Sequence, residues 1–348
     1  MNEARCKRLA RQAIADLSLD LEGLCVLTEA ATGYYALTPL LAALAGAEHV
    51  LAVTRDSAFG GVEEVQSGVA AMAKRWGLLD RITFLQDRND PRIGRADVVT
   101  NSGHLRPLDA ALVGMLKATA AVPLMYETWE FRPADLDLEA CRRRGLPVLG
   151  TDESHPALRT IEYVGLLAQK LLFELDVEVL DAKILVAGAG RFGGAVEVGL
   201  RAAGARVRRE APALLETQML TNVDALVVAE HEARDPIIGP GGRITLEDLR
   251  AAGRGLVVAH IAGAVDEATL RAAGTHFRPV RLAPAGYMSV ATDYLGPRPL
   301  VYLHAAGLKV GSALARARRD GRSRAESEAF ALRTCTCSQA FSSELQWA

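Results

Sequence analysis

Gly188, Gly190 and Gly193 stand in "KILVAGAGRFGGAVEVGLRAAG" (183–204), directly after an apolar strand-like run and at the start of a helical period. G-x-G-x-x-G in that setting has a defined chemistry. The first glycine makes a tight turn, the second lets a pyrophosphate approach the backbone, and the third lets helix and strand pack closely. The N–H groups and positive end of the helix start then hold the phosphates, with Arg191 and Phe192 inside the turn. The predicted cofactor is NAD or NADP; glycines kept for packing alone are the alternative. An acid for a ribose 2′-hydroxyl belongs about twenty positions further on. Glu210 is the only acid near that place, and it follows Arg206, Arg208 and Arg209. Glu210 favours NAD, whereas Arg208 and Arg209 around a 2′-phosphate favour NADP. An alternating strand points Arg208 and Glu210 to one side and Arg209 to the other. Both readings stay open.

Further polar residues lie where strands are predicted to end, the edge at which parallel sheets bind ligands. His104 follows a strand ending at Ser102 and is a candidate general acid or base, or else a surface histidine. Glu127 ends the next strand beside Tyr126 and Trp129; an aromatic-lined carboxylate suits a base or an amine-binding group. Asp152, Glu153 and His155 cluster before a helix, where Asp152 or Ser154 could equally be a cap. Glu29, with Thr28 and Thr32, ends the first strand. His260, inside an apolar strand, reads as a core histidine or a functional one. On the last helix His304 and Lys309 lie about one turn apart, and Lys309 is a candidate substrate ligand or a surface lysine.

These residues need elements to position them. A chain of 348 residues suits two domains, and 50% hydrophobic with 24% charged residues is ordinary globular composition. The net charge of −2 gives no electrostatic case for nucleic acid or an anionic membrane as partner. Five scattered cysteines make no disulfide framework, and Cys335-Thr336-Cys337 lacks the second pair of a metal site, so no metal is expected. The N-terminus is charged and no apolar run reaches about 20 residues, which predicts a cytoplasmic protein. Apolar, β-branched runs at 24–30, 49–55, 81–87, 96–102, 121–127 and 146–151 alternate with helical segments. A second series follows at 183–189, 205–210, 223–230, 255–263 and 277–284. The fold class is therefore α/β, with doubly wound parallel sheets. The stripe Leu158, Ile161, Val164, Leu167, Leu171, Leu172 predicts a helix over 155–177, with Pro156 in its first turn and a second apolar face for a homodimer partner.

Segment 96–153 resembles the first domain of the D-2-hydroxyacid dehydrogenases of the formate/glycerate dehydrogenase-like superfamily. The parts that carry the likeness are "TNSGHL", "YETWEFRPADLDLEA" and "RRGLPVLGTDE", with "GLVVAHIAGAVDEATLRAAG" after the turn. "TDESHP" (151–156) is similar to the run leading into the interdomain helix of S-adenosylhomocysteine hydrolase, a cousin of the same layout. The resemblance implies an inserted cofactor domain. That means a flavodoxin-like substrate domain over 1–155 completed by a helix at 299–320, a Rossmann domain over 156–298 and an interdomain cleft; separately, the weak periodicity of 321–348 predicts a flexible tail. From their places at strand ends and near the turn, Ser102, Glu29, Trp129, Asp152 and Lys309 are the candidate substrate ligands, His104, Glu127 and His155 the candidate catalytic residues, and Ile261 and Ala262 are expected beside the cofactor. One departure is decisive for chemistry. Ala262 stands where the dehydrogenases carry a catalytic arginine, and a methyl group cannot do a guanidinium's work. The implied activity is NAD(P)-dependent oxidation or reduction of a small polar metabolite that is not a simple 2-hydroxy acid. The alternatives are a tightly bound NAD serving a net non-redox reaction, or a non-catalytic nucleotide-binding module.

Overall fold

The computed structural model describes residues 1–253 and 255–342. In chain order, the first stretch carries α1 (Glu3–Asp16), β1 (Cys25–Glu29), α2 (Leu37–Leu44), β2 (His49–Val53), α3 (Val62–Trp76), β3 (Ile82–Leu85), β4 (Val98–Val99), α4 (Ala110–Met115), β5 (Val122–Pro123), α5 (Leu138–Arg143) and β6 (Val148–Thr151). Next come α6 (Thr160–Phe173), β7 (Lys183–Ala187), α7 (Arg191–Ala202), β8 (Arg206–Glu210), β9 (Ala225–Ala229), β10 (Pro236–Ile238), α8 (Leu246–Ala252), β11 (Val257–Ala262), β12 (Ala264–Val265), α9 (Glu267–Ala273) and β13 (His276–Arg278). The chain then continues through α10 (Pro297–Arg319), α11 (Arg324–Thr334) and β14 (Ser338–Gln339). It divides into two compact units, Met1–Leu158 with Gly296–Ala348, and Arg159–Leu295.

In the first unit β3-β2-β1-β4 form one parallel sheet, and β5-β6 continue it through a parallel bridge between Val98 and Ala121. The strand order is thus 3-2-1-4-5-6. Every residue of β1 is buried, as expected of a parallel strand covered on both faces. Helix α10 lies close against β4 and β5: a Cβ on Gly311 would stand 2.5 Å from Val98 Cγ1 and 2.9 Å from Pro123 Cγ. Its far end is locked by wholly buried Asp97, whose carboxylate takes Arg319 (2.7 Å), Lys117 (2.6 Å) and the backbone N–H of Cys25 (2.9 Å).

The second unit has the order β13-β11-β9-β7-β8, which in its own numbering is 2-1-3-4-5 from the β8 edge. By strand order the two expected names change places: the first unit has the dinucleotide-fold order and the second the flavodoxin-like one. The cause is local. Between β8 and β9 the chain makes only two short 3-10 turns, Pro212–Leu214 and Thr217–Leu220, so no third strand extends the sheet beyond β8. The arginines of β8 suit an exposed edge.

Three expectations change. The helix expected over 155–177 runs only from Thr160 to Phe173, because Arg159 adopts a left-handed φ of 55° and ends the preceding turn. Gly165 packs against the Ala195 backbone, so one face of α6 is spent on α7. The segment expected to fray, 321–348, carries α11, started by a capping box between Ser323 and Glu326, and β14, antiparallel to β6. Its last residues, 343–348, lie outside the described residues. The strand expected over 277–284 stops at Arg278, since Pro279 cannot donate to a ladder. Among the described residues no helix is long and apolar enough to cross a membrane.

Candidate active site

The glycine turn leaves β7 where its neighbours β8 and β9 lie on opposite sides, the switch point at which such sheets bind ligands. A Cβ on Gly193 would overlap Gly188 O, and one on Gly188 would overlap Ala229 O, so both glycines are required by backbone packing. Helix α7 starts at Arg191 with no side chain capping it, which leaves its positive end to an anion. Arg209 arches over the turn, donating to Ala189 O (3.0 Å) and Gly188 O (3.3 Å), and its Nε holds Glu197 (2.7 Å). Arg208 Nε bonds Glu210 at 2.9 Å on the other side of β8.

Sequence reasoning missed the residues facing this turn across the switch point. Glu230 is buried and accepts N–H groups from Ala189 (2.9 Å), Glu232 (2.9 Å) and Ala233 (3.2 Å). Burial works to raise its pKa, but those three donors together hold it below the ordinary carboxylate value. His231 stacks on Phe192, with centroids 4.1 Å apart, and receives Arg191 Nε at 3.4 Å. A Cβ on Gly190 would lie 2.8 Å from both Glu232 Oε1 and His231 Cε1. The cradle fits a diphosphate provided Glu232, whose side chain is 67% exposed, turns outward. Ile261 and Ala262 are buried within β11; Ile261 O accepts from Ser289 N and Ala262 O from Glu230 N. His260 is a satisfied core histidine. Nε2–H donates to Gly263 O (3.0 Å), Nδ1 faces the Ser289 hydroxyl (2.7 Å), and burial lowers its pKa to about 4.

In the first unit the switch point falls between β1 and β4. Buried Glu29, at the end of β1, accepts the backbone N–H of His104 at 2.9 Å. Burial raises its proton affinity despite that bond and the guanidinium groups of Arg106 and Arg55. His104 itself is half-buried, and burial with nearby Arg55 lowers its pKa, favouring the neutral ring. Ser102 and Thr28 both bond Thr100 Oγ1, at 2.5 and 2.9 Å. Asn101 is wholly buried: its Oδ1 accepts from Met125 N (2.8 Å) and its carbonyl from Arg106 Nε (2.6 Å). Its Nδ2 has no hydrogen-bond partner among the described residues.

The end of β5 adds a second group. Tyr126 lies under the Arg106 guanidinium, 5.2 Å from the ring centroid, and its buried hydroxyl also has no partner among the described residues. Burial pushes this phenol up to about 12, so it keeps its proton and stands as a hydrogen-bond donor. Glu127 accepts from Trp129 Nε1 at 2.6 Å. Glu130 is raised to about 7 by burial and by the Glu127 charge, against an opposing hydrogen bond with Glu153. His304, from α10, bonds Thr38 Oγ1 through Nδ1 (2.8 Å) and meets Tyr35 edge-on at 5.7 Å; burial lowers it to about 4. The set combines a phenol, an amide, neutral imidazoles, a guanidinium and two carboxyls, Glu29 and Glu130, whose proton affinity is raised.

The remaining candidates are used for chain geometry. Both ring nitrogens of His155 are engaged, Nδ1 by Ala157 N (3.2 Å) and Nε2 by Thr336 Oγ1 (3.1 Å). Asp152 closes a turn onto Ser154 N (3.0 Å) and its hydroxyl (2.6 Å). Lys309 is tied to the carbonyl of Ser18, in the segment leading into β1, rather than to this group. Asn101 and Tyr126 adjoin residues the sequence singled out, Ser102 and Glu127, but their missing partners are visible only in three dimensions.

No family model and no curated protein matches the chain. Solved structures do. It is similar to a dipicolinate synthase chain from Bacillus subtilis, with a TM-score of 0.55 at 11% identity, covering 88% of this chain and 100% of that one. The dipicolinate synthase chain from Bacillus halodurans gives 0.53 at 12% identity, over 82% and 96%. The pyruvate reductase of Chlamydomonas reinhardtii gives 0.52 at 13% identity, over 86% and 98%. The class these likenesses define is a doubly wound α/β fold. At 11–13% identity the likeness is one of fold.

Proposed function

We propose that the protein is a cytoplasmic, NAD(P)-linked oxidoreductase acting on a small polar metabolite other than a simple 2-hydroxy acid. The observation that carries this reading is the backbone contact of Gly188 with Gly193 at the uncapped start of α7. The N–H groups of that start and the Arg191 cation would hold the diphosphate. Arg208, Arg209 and Glu210 would meet the adenosine ribose. The nicotinamide, when bound, supplies hydride transfer. The protein's own part is binding and proton exchange. Asn101 Nδ2 and Tyr126 Oη, two buried donors with no partner among the described residues, would bond the metabolite's oxygen atoms. Glu130 would take up or release the accompanying proton, since its pKa of about 7 matches the working pH. His104 would act as a neutral acceptor. Leu166 and Phe173, 44% and 60% exposed on α6, are the residues a homodimer through that helix would cover.

The test is a screen of small polar metabolites against NAD and NADP, read by the absorbance of the reduced nicotinamide. Turnover that disappears in Tyr126→Phe supports the reading. A second reading, tightly bound NAD serving a net non-redox reaction, is favoured by Ala262, which supplies no carbonyl-polarising cation. Cofactor retained through purification, together with no net nicotinamide turnover, would select it.

A further inference from the structure

Cys335 and Cys337 take no part in the proposed chemistry, yet their placement is specific. Cys335 ends α11, and Ser338 N bonds back to Cys335 O at 3.0 Å, closing a turn with Thr336 and Cys337 at its centre. The two sulfurs stand 3.4 Å apart, each residue 2% exposed. The turn is fastened to the first unit's carboxyl edge. Cys337 O accepts from Asp152 N (2.8 Å), and Ser338 and Gln339 pair with Thr151 and Gly150. Gln339 Oε1 accepts from Thr128 N (2.7 Å) and Oγ1 (3.0 Å). Thr128 and Asp152 thus border the segments that carry Glu127, Glu130 and Glu153.

We propose that Cys335 and Cys337 form a reversible thiol–disulfide pair, oxidised by a peroxide, whose closure loosens the hold of Cys337 on Asp152 and of Gln339 on Thr128. The chemistry divides between the two sulfurs. The hydrogen bond from Cys337 holds Cys335 below the ordinary thiol pKa, burial opposing and the Lys309 ammonium assisting; Cys337 is raised by the same bond and by burial. At 3.4 Å either sulfur can attack; with Cys335 as the attacking thiolate Cys337 is the resolving thiol, and the reverse order gives the same bridge. In the first step an S–O bond forms to Cys335, the peroxide O–O bond breaks, and the departing hydroxide takes a proton and leaves as water. In the second, Cys337 sulfur attacks that sulfenic sulfur. The S–S bond forms, the S–O bond breaks, and the hydroxyl leaves with the Cys337 proton as a second water. Two thiols are oxidised by two electrons and one hydrogen peroxide is reduced. The sulfurs must close from 3.4 Å to about 2.05 Å, and the four-residue turn must follow them. The turn's own bond from Cys337 O to Asp152 N moves with the sulfurs, and the adjoining Gln339 bonds to Thr128 follow it.

The test uses the full chain, folded, with hydrogen peroxide as the probe. Intact mass should fall by two hydrogens, peptide mapping should place the bridge between Cys335 and Cys337, and dithiothreitol should reverse it. Amide exchange at Thr128 and Asp152 should rise roughly tenfold on oxidation, as local opening frees those N–H groups. Cys337→Ser and Cys335→Ser should each stop short of any bridge at this turn, and a variant that still lost two hydrogens would overturn the pairing. The wild-type mass and exchange readings stand even where a variant folds poorly. A bridge that forms only in denatured protein, or a bridge to Cys6, Cys25 or Cys141, would overturn the assignment. Unchanged exchange at Thr128 and Asp152 in the bridged protein would overturn the coupling.

Discussion

The carboxylate of Glu230 accepts the backbone N–H of Ala189 at 2.9 Å, so the middle residue of the glycine turn is pinned by an acid from the neighbouring strand end. The same carboxylate takes two further backbone N–H groups. Glu230→Gln keeps the size but loses the charge and one acceptor. We expect it to cost about 2–3 kcal/mol of stability, measured by denaturant unfolding. A cost below about 0.5 kcal/mol would show that the turn does not depend on this bond.

Glu232 places an exposed carboxylate against Gly190, where phosphate should approach. Removing that charge by Glu232→Gln should tighten NADPH or NADH roughly two- to fivefold, the worth of one exposed charge pair. Fluorescence titration reads this directly, and weaker binding would mean that Glu232 helps rather than hinders.

Tyr126→Phe should leave stability equal or raise it by about 1 kcal/mol, because it removes a buried hydroxyl with no partner among the described residues. A loss above about 1 kcal/mol in thermal unfolding would mean that the hydroxyl has a structural partner.

Glu130 sets a pH dependence whose sign follows from its raised pKa. Between the unfolded value of about 4.5 and the folded value of about 7 the native state holds the extra proton, so its contribution to stability falls as pH rises. His304, lowered to about 4, works in the opposite sense: it contributes stability that is lost as pH falls below about 6.5. The difference between wild type and Glu130→Gln isolates the first term. Wild type should lose stability relative to the variant from pH 4.5 to 7, and a flat difference would refute the raised pKa.

Asp97→Ala leaves Arg319 and Lys117 without their shared anion at the base of α10. Loss of about 3–5 kcal/mol is expected, the scale for breaking a buried ion pair. Urea unfolding showing less than about 1 kcal/mol would contradict the lock.

Much of this was legible in the sequence because it is written in local pattern. The apolar β-branched runs locate most strands to within about two residues, and the glycine spacing locates the turn. Ser323 and Glu326, a capping-box spacing, were a readable signal for α11 that the polar character of the tail concealed. What could not be read depends on convergence. His304, Asn101 and Tyr126 come from separate elements, and the pKa of Glu130 is set by burial. Conversely, His155, Asp152 and Lys309 carry chemical side chains that the fold spends on turns and carbonyls, a use that residue type alone does not reveal.

The Gly188–Gly193 turn should bind a nicotinamide dinucleotide. Titration calorimetry with NAD, NADH, NADP and NADPH, on wild type and on Gly190→Asp checked for an unchanged melting curve, tests it most directly. Saturable one-to-one binding of at least one of the four to wild type is expected, weakened at least about 100-fold in the variant, where a carboxylate would occupy the phosphate's approach. No binding to wild type, or equal affinity in the variant, would contradict it.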